Sequence, residues 1–145
     1  MQTFLPYEDF AQSAACLDRL RLGKQRVETL QIVKAIIDPD YGWQKHPAVI
    51  MWRGHLPTLV RYQAYVCNEW IGRGYRDTCL DKTIELAMGA PEELLDAPLP
   101  TWLGDAEFHR SHRSNLLRKS PEYYGSQFEP ELPNDLEYVW PVGLL

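Results

Sequence analysis

The chain has 145 residues, 45% hydrophobic and 12% aromatic, enough for one domain with a sizeable core and too apolar for a disordered polymer. Its formal net charge of −5 argues against indiscriminate binding to nucleic acid, which needs a strong positive field. No apolar run approaches the roughly 18 residues of a membrane helix, and the N-terminus lacks a basic-then-apolar leader pattern. Cys16, Cys67 and Cys79 have no zinc-ligand spacing. A cytoplasmic protein with reduced, partly buried thiols is therefore expected.

In chain order, Met1–Pro6 is short and extended, with Phe4 and Leu5 directed to the core. Tyr7–Cys16 holds a short helix with Asp9 as a cap. Leu17–Ile37 reads as one long helix, capped by Asp18 and stopped by Asp38-Pro39, since proline lacks the donor and crowds the preceding turn. Leu20, Gly23, Val27, Leu30, Val33 and Ile37 recur at helical spacing and predict a buried stripe. Gly23 costs about 1 kcal/mol of helix propensity relative to alanine, which suggests the close approach of another backbone. Glu28 lies on a different face with Arg21, Lys24, Gln25, Gln31, Ile32 and Ala35. One acid among two cations and two amides suits a phosphate-bearing substrate. The plainer alternative is a solvated face with a Lys24–Glu28 ion pair, a common and weak feature.

Asp38–His46 is a loop by its Pro, Gly and Asp content. His46 precedes Pro47 and reads as the cap of a short helix over Ala48–Arg53 or as a satisfied core histidine. Leu56–Gly72 is a second long helix, with Leu59, Tyr62 or Gln63, Val66 and Trp70 at helical spacing and Gly72 and Gly74 ending it. Tyr75–Met88 contains another helical stretch. Ala90–Leu103, with Pro91, Pro98 and Pro100, reads as an irregular crossing loop.

Asp105–Lys119 is a third long helix. From His109 onward it carries Arg110, His112, Arg113, Arg118 and Lys119 and no acid, and Tyr123 and Tyr124 follow. Cations followed by exposed aromatics suit nucleic acid, where phosphates meet the charge and bases stack on the rings. The alternative is a solvated helix face with the tyrosines packed on the core. Glu129–Leu145 is acidic first and apolar last, and Tyr138-Val139-Trp140-Pro141 is expected to dock on the body. Without the tail's acids the body is close to neutral. The expectation is an all-α fold: a compact single-domain bundle of about three long helices with irregular connecting loops, residues 126–145 forming a docked C-terminal extension. Of the four histidines, His46, His55, His109 and His112, the last two are three apart but lack a third ligand. No metal and no cofactor is expected.

Three blocks together resemble the pyrimidine-dimer DNA glycosylase family of the endonuclease V type. The first is Leu17-Asp18 leading to Glu28, where the family has a helix bearing its catalytic glutamate. The second is Gly42-Trp43-Gln44-Lys45-His46-Pro47, similar to the Gly-aromatic-x-x-His-Pro of bacterial members. The third is His112-x-Ser114 through Leu117, Lys119, Pro121, Tyr123 and Tyr124, similar to the family's last helix and its aromatic-basic end. The likeness spans roughly residues 1–125.

The resemblance implies a mostly helical domain that binds duplex DNA with a damaged or modified base; base flipping is expected as well, since duplex stacking hides the reacting sugar and base. It implies two catalytic groups. The chain's α-amine attacks C1′ of the damaged nucleotide, and Glu28 assists sugar opening and strand scission. An α-amine titrates near about 8, below a lysine, and so is partly neutral and nucleophilic at physiological pH. Gln2 is bulky and should protect the initiator methionine, which makes Met1 the expected nucleophile. Val27 stands where the family has an arginine. The expected DNA-binding set is Arg19, Arg21, Lys24, Arg26, His46, His109, His112, Arg113, Arg118, Lys119, Tyr123 and Tyr124. Two rival readings are a non-catalytic module of the same fold that binds nucleic acid or protein, and a hydrolase of free nucleoside or nucleotide glycosidic bonds.

Overall fold

A computed structural model describes residues 1–141, and among these all regular structure is helical. The order is α1 (Phe10–Cys16), α2 (Arg19–Ile37), α3 (Pro47–Trp52), α4 (Leu56–Gly72), α5 (Cys79–Met88), α6 (Glu92–Leu95), α7 (Ala106–Lys119) and α8 (Pro121–Tyr124). The irregular crossing loop expected at Ala90–Leu103 contains one helical turn, α6. Among the described residues no helix is long and apolar enough to cross a membrane. The last four residues of the extension, 142–145, lie outside the described residues.

The helix starts follow from local chemistry. The side chains of Asp9, Asp18 and Asp105 accept from the backbone N–H groups of Ala11, Arg21 and Phe108, relieving donors that the first turn leaves unpaired. His46 does the same through Nδ1, which accepts from the Ala48 N–H at 3.0 Å. This fixes its proton on Nε2.

The core lies where α2 crosses α4 and α5 and α1 packs against α4. Trp52 and Tyr62 are fully buried at its centre, with Phe10 edge-on to Tyr62 at 5.5 Å and Trp102 edge-on to Trp52 at 4.9 Å. The predicted stripe on α2 is rotated. Leu30 and Val33 are buried, but Leu20 is 67% and Val27 46% exposed. The inward row is Leu22, Gln25, Thr29, Ile32 and Ala35. Periodicity counts apolar residues, so a row that carries a hydrogen-bonded glutamine and a threonine escapes it.

Gly23 does sit at a close approach, to an indole rather than a backbone. A Cβ there would meet Trp70 Cη2 at 3.1 Å. Trp70 is held by a bond from Nε1 to the Arg76 carbonyl at 2.8 Å, by Tyr75 stacked at 4.3 Å, and by the Arg26 guanidinium 4.3 Å above its ring. Arg26 also pairs with Asp77 at 2.7 Å, the two side chains being 15% and 1% exposed. Burial alone would raise the Asp77 carboxyl, but N–H donation from Leu80, then Arg26, and then Cys79 holds it below its usual range.

Two segments outside the helices are fastened by α7. Both backbone groups of Leu5 are taken by histidines: its N–H donates to His112 Nδ1 at 2.9 Å, and His109 Nδ1 lies 2.8 Å from its carbonyl. The Gly104 N–H donates to His109 Nε2, so the His109 proton sits on Nδ1 and donates to Leu5. The other row on α7 holds the tail. Ser114 Oγ donates to the Pro133 carbonyl and accepts from the Leu136 N–H, Asn115 donates to the Leu136 carbonyl, and Ser111 accepts from the Val139 N–H.

Candidate functional site

The long helix α2 brings Glu28 beside the first residues of the chain. The Gln2 N–H donates to Glu28 Oε2 at 3.1 Å, and Gln25 Nε2 reaches the same oxygen at 3.4 Å. Glu28 Oε1 faces Lys24 Nζ at 3.9 Å; the Lys24 side chain is 76% exposed, the Glu28 side chain 18%. The ion pair expected from spacing is therefore present, but solvent screening and a mobile lysine make it weak. Gln25 organises the rest. Its Oε1 accepts from the Phe4 N–H at 2.7 Å and the Tyr62 hydroxyl at 2.6 Å, while Nε2 donates to the Gln2 carbonyl at 2.6 Å. One buried amide thus ties the extended N-terminal segment to the helix that carries Glu28.

Around this junction lies a cleft of about 460 Å³, lined by Met1, Gln2, Phe4, Leu20, Arg21, Lys24, Gln25, Glu28, Lys119 and Tyr138. Consecutive backbone nitrogens are under about 4 Å apart, so the Met1 amine stands one peptide unit from a group bonded to Glu28. His46 registers that amine. Burial, then the nearby chain-terminal charge, pull its pKa down, against a smaller upward pull from Glu28. The Gln2 side-chain Nε2 is buried without a partner among the described residues.

The structure divides the expected site residues. Met1, Arg21, Lys24, Glu28 and Lys119 share the cleft. Arg19 faces a neighbouring groove with Leu20, Gly23, Val27 and Trp70. His46 caps α3 and does not line the cleft, and Arg26 is turned to Asp77. Of the basic run on α7, His109 and His112 are buried on Leu5. Arg113 donates to Glu129 and to the Pro6 carbonyl, and Arg118 to the Asn134 carbonyl and Asn115. Tyr124 is fully buried, donating to Asp18 at 2.5 Å. Tyr123 is 41% exposed and does not line the cleft. The expected phosphate-and-stacking face along α7 is thus mostly an internal fastening surface, with only Lys119 facing the cleft. An Arg/His run looks the same in sequence whether its donors meet phosphate or the protein's own carbonyls.

Tyr138 is the cleft residue that sequence reading missed. The tail was expected to dock, but nothing in its composition indicates where. Its hydroxyl is pushed up to about 12, by burial first, against Arg118 and Arg21 and with a further push from Glu28. It therefore stays a donor across the physiological range. Among the described residues, no group of three or more His, Cys, Asp or Glu converges on a point that could hold a metal ion. The chemistry available in the cleft is one carboxylate, one amine, three side-chain cations, two carboxamides and a phenol.

Met1 and Glu28 thus line one cleft with Arg21, Lys24 and Lys119 in an all-helical fold. The sequence profile of the pyrimidine dimer DNA glycosylase family matches residues 1–83, and the chain belongs to that family. The matched part includes Met1, α2 with Glu28, and Gly42–Pro47; the tail with Tyr138 lies outside it. No curated protein and no solved structure matches the chain.

Proposed function

We propose that this chain is a DNA glycosylase acting on pyrimidine dimer-like damaged or modified bases in duplex DNA, with an abasic-site lyase step through the amine of Met1. The reaction belongs to one domain, with the tail over residues 126–141 as its docked extension. The observation that carries the reading is the Gln2 N–H bonded to Glu28 at 3.1 Å within a cation-lined cleft.

The neutral amine attacks C1′ of the damaged nucleotide, and the bond from C1′ to the base breaks, the base leaving with its electron pair and taking up a proton. The Glu28 carboxylate takes up the proton that the attached amine sheds and delivers it to the ring oxygen as the sugar opens, leaving a protonated Schiff base between C1′ and the Met1 nitrogen. Removal of a C2′ proton then expels the 3′ phosphate by β-elimination, and water hydrolyses the Schiff base to release the amine. Arg21, Lys24 and Lys119 are placed to hold the flanking phosphates.

Sodium borohydride trapping on duplexes that carry an abasic site or a thymine dimer tests the proposal. A covalent adduct at Met1, identified by peptide mass, is expected from the unmodified chain. Extra residues left ahead of Met1 should abolish it. Glu28→Gln should keep DNA affinity and lose product. Salt-dependent binding with neither adduct nor base release would select the non-catalytic module, and turnover of free nucleosides without DNA would select the nucleoside hydrolase.

A further inference from the structure

The cleft is rich in charge and poor in flat apolar surface. Met1, Leu20 and Tyr138 are its accessible apolar side chains, since Phe4 is 7% exposed. A nucleotide presents two chemistries, a phosphate that seeks cations and a base that seeks a π-face. Arg21, Lys24 and Lys119 answer the first. Among the described residues that line the cleft, only Tyr138 offers an accessible aromatic ring for the second.

The position of that ring is built rather than incidental. The bonds from Ser111, Ser114 and Asn115 to residues 133–139 set the tail's path along α7. The Tyr138 ring meets His112 at 71° and Trp140 at 53°, with centroids 5.3 and 5.9 Å away, so neither ring is stacked parallel on it. The tyrosine contacts the histidine that fixes Leu5 and lines the same cleft as Glu28 and Arg21.

We propose that Tyr138, supplied by the C-terminal tail, is a base-contacting residue of the cleft. It stacks on the base of the reacting nucleotide and so favours a site that still carries that base over one that has lost it. This rests on the DNA-repair reading above and names a contact that the family match does not cover.

The test compares two duplexes in equilibrium binding. One carries a thymine dimer; the other carries a tetrahydrofuran abasic analogue, which has phosphates and a sugar but no base. The proteins all carry Glu28→Gln, which should bind without turning the dimer duplex over, and combine it with native Tyr138 (the wild type of this comparison), Tyr138→Phe, Tyr138→Leu or Tyr138→Ala, each checked for folding by thermal melting. Tyr138→Leu keeps apolar bulk over His112 without an aromatic plane, so the test survives if the alanine variant does not fold. Expected is a loss of roughly tenfold on the dimer duplex for Tyr138→Leu and Tyr138→Ala, the scale of one base–aromatic stack. Tyr138→Phe should stay near wild type, and the abasic duplex should bind all four alike. Equal losses on both duplexes, or no loss on either, overturn the assignment. A wild-type protein with no affinity for either duplex overturns the DNA-repair reading itself, and this inference with it.

Discussion

Replacing Gln25 by leucine tests whether one amide holds the site together. The two side chains are similar in size, so the substitution removes polar contacts with little void. Gln25→Leu takes the acceptor from the Phe4 N–H and the donor from the Gln2 carbonyl, bonds of 2.7 and 2.6 Å in the native protein. The Tyr62 hydroxyl is spared, because it also donates to the Phe4 carbonyl at 2.7 Å. Each backbone group left buried and unpaired costs about 1–3 kcal/mol, so the two together should cost about 3 kcal/mol. For a domain of this size that lowers Tm by roughly 6–12 °C. Reversible urea unfolding measures it, with the m-value expected to stay unchanged. Glu28 loses a neighbour and the N-terminal segment loosens, so borohydride trapping should fall with stability. A loss below about 1 kcal/mol would show that water or a shifted backbone replaces the amide, and would refute the claim that Gln25 fixes the geometry between Met1 and Glu28.

Two further outcomes follow from charges elsewhere. Burial, then the neighbouring His109, pull the His112 pKa down to about 3, against about 6.5 in an unfolded chain. A depressed pKa means that the unfolded state binds the proton first. The associated stability is complete above about pH 6.5 and is lost progressively as pH falls toward 3. His112→Gln, which can still accept from the Leu5 N–H, should flatten that acid arm in pH-dependent denaturation; an unchanged slope would show that other groups set it. In DNA binding, Lys119→Ala should weaken affinity across sequences and reduce the slope of log K against log salt by about 1. An unchanged slope would place Lys119 outside the phosphate contacts.

What the sequence carried by itself was local. Asp9, Asp18 and His46 cap helices as read, because a cap is a contact between residues two or three positions apart, and Asp105, read as the first residue of its helix, is its cap. Glu28 and its cationic neighbours were legible for the same reason: helical spacing puts Lys24 beside it without help from the rest of the fold. Tertiary contacts decided which polar groups face inward. Gln25 reads as a surface amide until the Phe4 N–H and Tyr62 arrive from distant parts of the chain. His109, His112 and Arg113 read as a cationic face until the Leu5 N–H and carbonyl, the Pro6 carbonyl and the carboxylate of Glu129 come within bonding distance. Tyr138 reaches the cleft only because serines and an asparagine on α7 guide the tail there. A hydrogen-bond donor carries no mark of its partner's place in the sequence. Long-range pairing therefore settled both the rotation of α2 and the make-up of the cleft, while short-range pairing had already set where the helices begin and which acid to watch.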